Sequence, residues 1–136
     1  MRLEVTRRSD LALRALLTLS TSADRLKAAE LAEQIGTTKG FLTQVMNPLV
    51  QQGWVHSEPG PTGGYVADLD PSEVSVLEVI EVLEGPVDTG RCVLEDRACS
   101  AGGTCALHKP WSGARSRLLD DLGGQSLASL LPRAGS

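Results

Sequence analysis

The sequence predicts a mainly α-helical fold with a small β-hairpin wing, the winged helix-turn-helix. Three observations lead there. Two amphipathic helical patterns meet across a glycine in "LAEQIGTTKGFLTQV". Two short alternating segments, "WVHSE" and "GYVADL", flank the turn-forming "PGPTGG". A third helical run, "VLEVIEVLEG", is almost wholly apolar. Two helices joined by a short glycine-containing turn make the helix-turn-helix, and a hairpin after it supplies the wing.

The elements follow in order. From Ser9, the residues Leu11, Leu13, Leu16, Leu17 and Leu19 fall largely on one side of a first helix, with Arg14 and Thr18 toward the other. A polar turn over Ser20 to Asp24 precedes the second helix, in which Leu26, Ala29, Leu31, Ala32 and Ile35 form the apolar face and Gly36 is the stop. Thr37 or Thr38 caps the third helix, where Phe41, Leu42, Val45, Met46, Leu49 and Val50 recur at helical spacing until Gly53. Pro48 lacks the N–H that would reach the Gln44 carbonyl, so a kink is expected there. Beyond Asp70-Pro71, Ser75 and Glu78 stand three apart as a capping box for a helix apolar nearly all round, which is expected to be pinned between other elements. "WSGARSRLLDDL" resumes a helical pattern, "SLASLL" follows, and "PRAGS" reads as a fraying tail. Residues 1–70 form the expected winged unit. Residues 71–136 hold the connecting helix, an irregular loop at about 90–108 and the last helix.

Charge is divided unevenly. The 136 residues carry a formal net charge of -4, yet residues 1–66 hold seven Lys/Arg against six Asp/Glu, a balance of +1, whereas residues 67–136 hold six against eleven, a balance of -5. An anion-binding face therefore belongs in the front half. Asp10 and Arg14 interrupt the early leucine run, which reads as a folded helix and not as a secretory signal. No segment approaches the roughly 20 apolar residues that span a bilayer. The cytoplasm is the expected location, where thiols stay reduced.

That compartment bears on "CVLEDRACSAGGTCALH", which gathers all three cysteines and one of the two histidines. The pattern is Cys-x6-Cys-x5-Cys-x2-His, at Cys92, Cys99, Cys105 and His108, and Gly102 and Gly103 let the backbone fold back. Three thiolates and an imidazole suit either tetrahedral zinc or an iron-sulfur cluster. Structural zinc usually draws ligands in pairs two to four residues apart, and the thiol gaps here are wider, which favours iron-sulfur. The competing possibility, that these cysteines are small core residues, is at odds with a glycine-rich, charged loop lacking core periodicity.

In the order of its motifs the chain resembles the IscR/NsrR-type iron-sulfur winged-helix transcriptional regulators of bacteria. The likeness rests on "MRLEVTRRSDLALRALL", "AAELAEQIGTTKGFLTQVMNPLVQQGWV", "GPTGGY", "VSVLEVIEVLEG" and "RCVLEDRACSAGGTCALHKPW". It implies a homodimer paired through the helix at about Trp111 to Leu122, with each loop holding a [2Fe-2S] or [4Fe-4S] cluster that switches affinity for double-stranded operator DNA. The IscR-like pattern implies the ligands Cys92, Cys99, Cys105 and His108. The NsrR-like pattern replaces the histidine by an aspartate from the partner subunit, which matches Asp10. A helix N-cap is the ordinary alternative role for Asp10. Two departures stand out: six residues separate the first two cysteines where IscR-like chains have five, and Pro59 occupies the wing position where the family commonly carries arginine.

The first turns of a recognition helix face base edges, which makes Thr38, Lys39, Thr43 and Gln44 the expected readers. Arg2, Arg7, Arg8 and the wing amides near Gly63 and Gly64 are expected to hold phosphates. A redox enzyme built on the same cluster would need a nucleotide-binding glycine motif or paired catalytic carboxylates, and the sequence has neither. A winged helix stabilised by zinc, sensing nothing, is the alternative function.

Overall fold

The computed structural model describes residues 2–94 and 105–131, which form five α-helices, a β-hairpin and a terminal 3-10 turn. Helix α1 spans Arg7–Thr21, two residues earlier than its apolar face indicates, because Thr6 is the N-cap and its hydroxyl oxygen accepts from the Ser9 amide at 3.2 Å. Asp10 is thus inside the first turn and is not the cap. Helix α2 spans Ala28–Ile35 and ends at Gly36, whose φ of 81° is a left-handed conformation that favours glycine. Helix α3 spans Lys39–Gln52, capped by the Thr38 hydroxyl on the Phe41 amide at 3.2 Å, and it continues through Pro48.

Strands β1 (Val55–Glu58) and β2 (Gly64–Ala67) pair antiparallel, with Val55 opposite Ala67 and Glu58 opposite Gly64. A third piece of extended chain joins them. Leu26 exchanges two backbone hydrogen bonds with Tyr65, at 3.1 and 2.7 Å, so the segment before α2 lies along the wing. Helix α4 (Val76–Glu84) starts at Ser75, whose hydroxyl accepts from the Glu78 amide at 3.0 Å.

The core is continuous across residue 70. Leu11, Leu16, Leu31, Leu42, Met46 and Leu49 of the first three helices share one apolar cluster with Val79 and Leu83 of α4 and with Leu127 near the C-terminus. Leu127 arrives there because the chain after α5 (His108–Gly123) returns to the start of α4: Val76 donates to the Gln125 carbonyl at 2.8 Å and Leu127 to the Val74 carbonyl at 2.9 Å. The expected boundary near residue 70 is therefore no break in packing. Helix α4 is pinned as its composition indicates, burying Val76, Val79, Ile80 and Leu83. Helix α5 packs on α4 and buries no residue of its own.

Candidate nucleic-acid interface and metal loop

One groove runs between the N-termini of α2 and α3 and the inner side of the wing. Lys27, Lys39, Thr43, Ser57, Glu58 and Tyr65 are among the residues that line it. Two of the expected readers, Lys39 and Thr43, stand in this groove; Thr38 and Gln44 are exposed on the same helix end. The Thr43 hydroxyl donates to the Lys39 carbonyl at 3.0 Å, leaving its oxygen to accept.

The basic residues of the N-terminus divide. Arg2 sits 3.6 Å from Glu4 at the surface, and Arg8 is exposed in the first turn of α1. Arg7 donates to the Gly36 carbonyl at 3.1 Å and lies 3.3 Å from Asp10, its side chain remaining 57% exposed. It braces the turn of the helix-turn-helix and keeps further N–H donors at the surface.

The wing glycines also have internal duties. The Gly63 amide donates to the Gly60 carbonyl at 3.0 Å, so it is not offered to a phosphate, and a β-carbon there would stand 2.1 Å from the Glu58 carbonyl oxygen. Gly64 has φ 138°, and a β-carbon on it would meet the Leu26 carbonyl oxygen at 2.5 Å. Both glycines are required for close approach of the hairpin turn and of the segment before α2.

Two cations that the sequence reading passed over belong here. Lys27 lines the groove, and Arg25 contacts the wing, donating to the Thr62 carbonyl at 3.0 Å and to Glu58 Oε2 at 2.9 Å. The alternation Arg25, Leu26, Lys27, two cations about one apolar residue, is the period-two signature of a short strand. It was masked by counting Leu26 into the helix that follows.

The second candidate site lies where α4 hands over to α5. Cys105 and His108 line one cleft with Asp88, Arg91, Val93, Trp111 and Arg115. The two-residue spacing forms a turn in which the His108 amide donates to the Cys105 carbonyl at 3.1 Å, and His108 is the first residue of α5, three residues before the expected helix start. Arg115 reaches from α5 to Asp88 at 3.1 Å and ties the incoming loop to the helix. Cys92 and Cys105 are half-buried. Cys99 lies outside the described residues, as do Gly102 and Gly103. Among the described residues no three His, Cys, Asp or Glu side chains gather closely enough to hold a metal ion. The donor chemistry nevertheless suits a cluster, since Cys105 and His108 share one cleft and Cys92 stands between Arg91 and Val93 of its wall. Asp10 is engaged elsewhere: its carboxylate oxygens accept from Arg14 at 3.0 Å and from Arg7 at 3.3 Å.

Residues 5–133 match the family model of Rrf2, described as an iron-dependent transcriptional regulator. The chain belongs to the Rrf2 family. Among its relatives, the HTH-type transcriptional regulator IscR of Escherichia coli (strain K12 / DH10B) is 32% identical over 113 residues, which span 83% of this chain and 69% of IscR. Among solved structures, CymR, the global cysteine regulator of B. subtilis, aligns with a TM-score of 0.76 at 25% identity, covering 95% of this chain and 96% of CymR. IscR of T. potens shares the fold, with a TM-score of 0.73 at 22% identity over 94% of this chain and 85% of that one. This Rrf2 protein is accordingly a winged-helix transcriptional regulator and not an enzyme. None of its described helices is long and apolar enough to cross a membrane.

Proposed function

We propose that this Rrf2 protein is a cytoplasmic repressor, acting as a homodimer on double-stranded operator DNA, whose affinity is switched by an iron-sulfur cluster held in the loop at 90–108. The observation that carries this reading is the placing of Cys105 and His108 in one cleft at the α4–α5 junction, with Arg91 and Val93, the neighbours of Cys92, on its wall. Cys92, Cys99, Cys105 and His108 are the ligands proposed. This set suits a [2Fe-2S] cluster, because an imidazole completes three thiolates. His108 is preferred to the Asp10 of a partner subunit because it already shares the cleft with Cys105, whereas Asp10 would have to leave two arginines. When bound, the cluster would supply a redox- and nitric-oxide-sensitive centre.

The protein's own part is mechanical. The loop leaves α4, which is packed in the winged core, and enters α5, which lies outside it. Helix α5 carries an apolar groove lined by Leu3, Val87, Leu107, Trp111 and Leu118, with Leu3 77% and Leu118 44% exposed. A second copy of the chain is the proposed occupant. A change of cluster state at the α4–α5 junction would then alter the separation of the two winged units, and half-site spacing on DNA tolerates little change in it. Lys39, Thr38, Thr43 and Gln44 read bases, while Arg2, Arg7 and Arg8 hold phosphates.

The test compares the anaerobically purified, cluster-loaded protein with chelator-stripped protein and with Cys105→Ser. The probe is a duplex recovered from a random library by in-vitro selection. An affinity difference of about five- to 150-fold is expected between loaded and stripped forms, the usual range of allosteric coupling. Equal affinity in all three would overturn the switch, and failure to recover any duplex would overturn DNA recognition itself.

A further inference from the structure

The wing of this protein has an acidic residue in the groove that a nucleic-acid backbone would enter. Glu58 lines it opposite Lys27 and Lys39. An uncompensated carboxylate there opposes phosphate, so its partner matters. That partner comes from outside the hairpin. Arg25, in the extended segment before α2, meets Glu58 Oε2 at 2.9 Å and the carbonyl of Thr62, at the wing turn, at 3.0 Å. His56 Nε2 stands 3.5 Å from the other oxygen of Glu58. The same segment is stitched to β2 through Leu26 and Tyr65, and Gly64 leaves room for the Arg25 stem, whose Cγ would lie 3.0 Å from a β-carbon on that glycine. One guanidinium therefore bonds both the base of the hairpin turn and its far side.

We infer that Arg25 is a positioning residue for operator recognition: it holds the wing over the groove and cancels the charge of Glu58 within the protein, without itself touching DNA. This inference rests on the DNA-binding reading above. It explains why a chain with Pro59 and no arginine or lysine between Trp54 and Val66 keeps an ordered wing beside a basic groove.

The experiment uses the full chain and the duplex selected by the unsubstituted protein. Arg25→Ala is expected to weaken binding about tenfold, the loss of one charge-assisted contact pair at a half-exposed site. Renewed selection with that variant is expected to lose base preference only at the outer positions, with the central positions read by α3 retained. In a Glu58→Gln background, Arg25→Ala should leave the salt dependence of binding unchanged. A salt slope reduced by roughly 0.9 would instead make Arg25 a direct phosphate contact and overturn the inference. Unchanged affinity and preference in Arg25→Ala would overturn it as well. Arg25→Lys, which keeps the charge but ends one atom short of the Nη1 that meets both acceptors, is expected to give an intermediate loss, and full affinity in that variant would overturn the positioning role, since charge alone would suffice. It keeps the test decisive if the alanine variant does not fold. If no duplex is selected at all, the inference falls together with DNA recognition; a duplex bound equally by Arg25→Ala removes the inference alone.

Discussion

At Asp70 a single carboxylate oxygen accepts two hydrogen bonds from Ser72, from its hydroxyl at 2.6 Å and from its amide at 2.9 Å. The hydroxyl contact first, and the amide contact second, hold the Asp70 carboxyl below its ordinary value of 3.8. A depressed folded-state value means that the contribution is present above 3.8 and is lost as pH falls through the lower folded value. Thermal unfolding followed against pH checks this: Asp70→Asn is expected to flatten the decline of the midpoint below 3.8, and identical profiles would remove the linkage. The same attention to single groups separates Gly63 and Gly64 from the other expected phosphate contacts, since the Gly63 amide is bonded to the Gly60 carbonyl and Gly64 is paired with Glu58 in the hairpin. Arg7 donates to Gly36 and to Asp10 and keeps further N–H donors at the surface.

At the scale of elements, helix spacing made α2, α3 and α4 legible in the sequence, because each couples a strong apolar face to a capping hydroxyl or a terminal glycine. What stayed illegible was decided by tertiary partners. The start of α1 depends on Thr6, which precedes the helix's first apolar residue, Leu11, by more than a turn, and the extended pairing at Leu26 exists only because Tyr65 lies beside it. The loop's donor set was plain from composition; that His108 opens a helix was not. A further contact between elements was also hidden: the hydroxyl of Ser9, fully buried in α1, donates to the carboxylate of Glu84 at the end of α4. This pair ties the helix that feeds the loop to the turn of α1 from which Arg7 braces Gly36. A double-mutant cycle on Ser9→Ala and Glu84→Gln, read by urea unfolding, is expected to give a coupling of about 1 kcal/mol or more, as for a hydrogen bond to a charged group. Strict additivity would mean the contact contributes nothing.

The whole molecule is one winged core with a helix laid outside it. Helix α5 buries no residue, yet it presents Leu107, Trp111 and Leu118 in an apolar groove completed by Leu3 and Val87. Leu118→Glu places a charge in that groove, and sedimentation is expected to show a monomer, with affinity for the selected duplex falling by at least about tenfold as one of two half-site contacts is lost. A stable dimer of unchanged affinity would place the interface elsewhere. The most direct test of the account concerns the loop itself. Native mass spectrometry of oxygen-protected protein is expected to show a dimer carrying two iron and two sulfide per subunit, lost in Cys105→Ser. A chain that holds no iron and sulfide after reconstitution, or that holds one zinc per subunit instead, would contradict it.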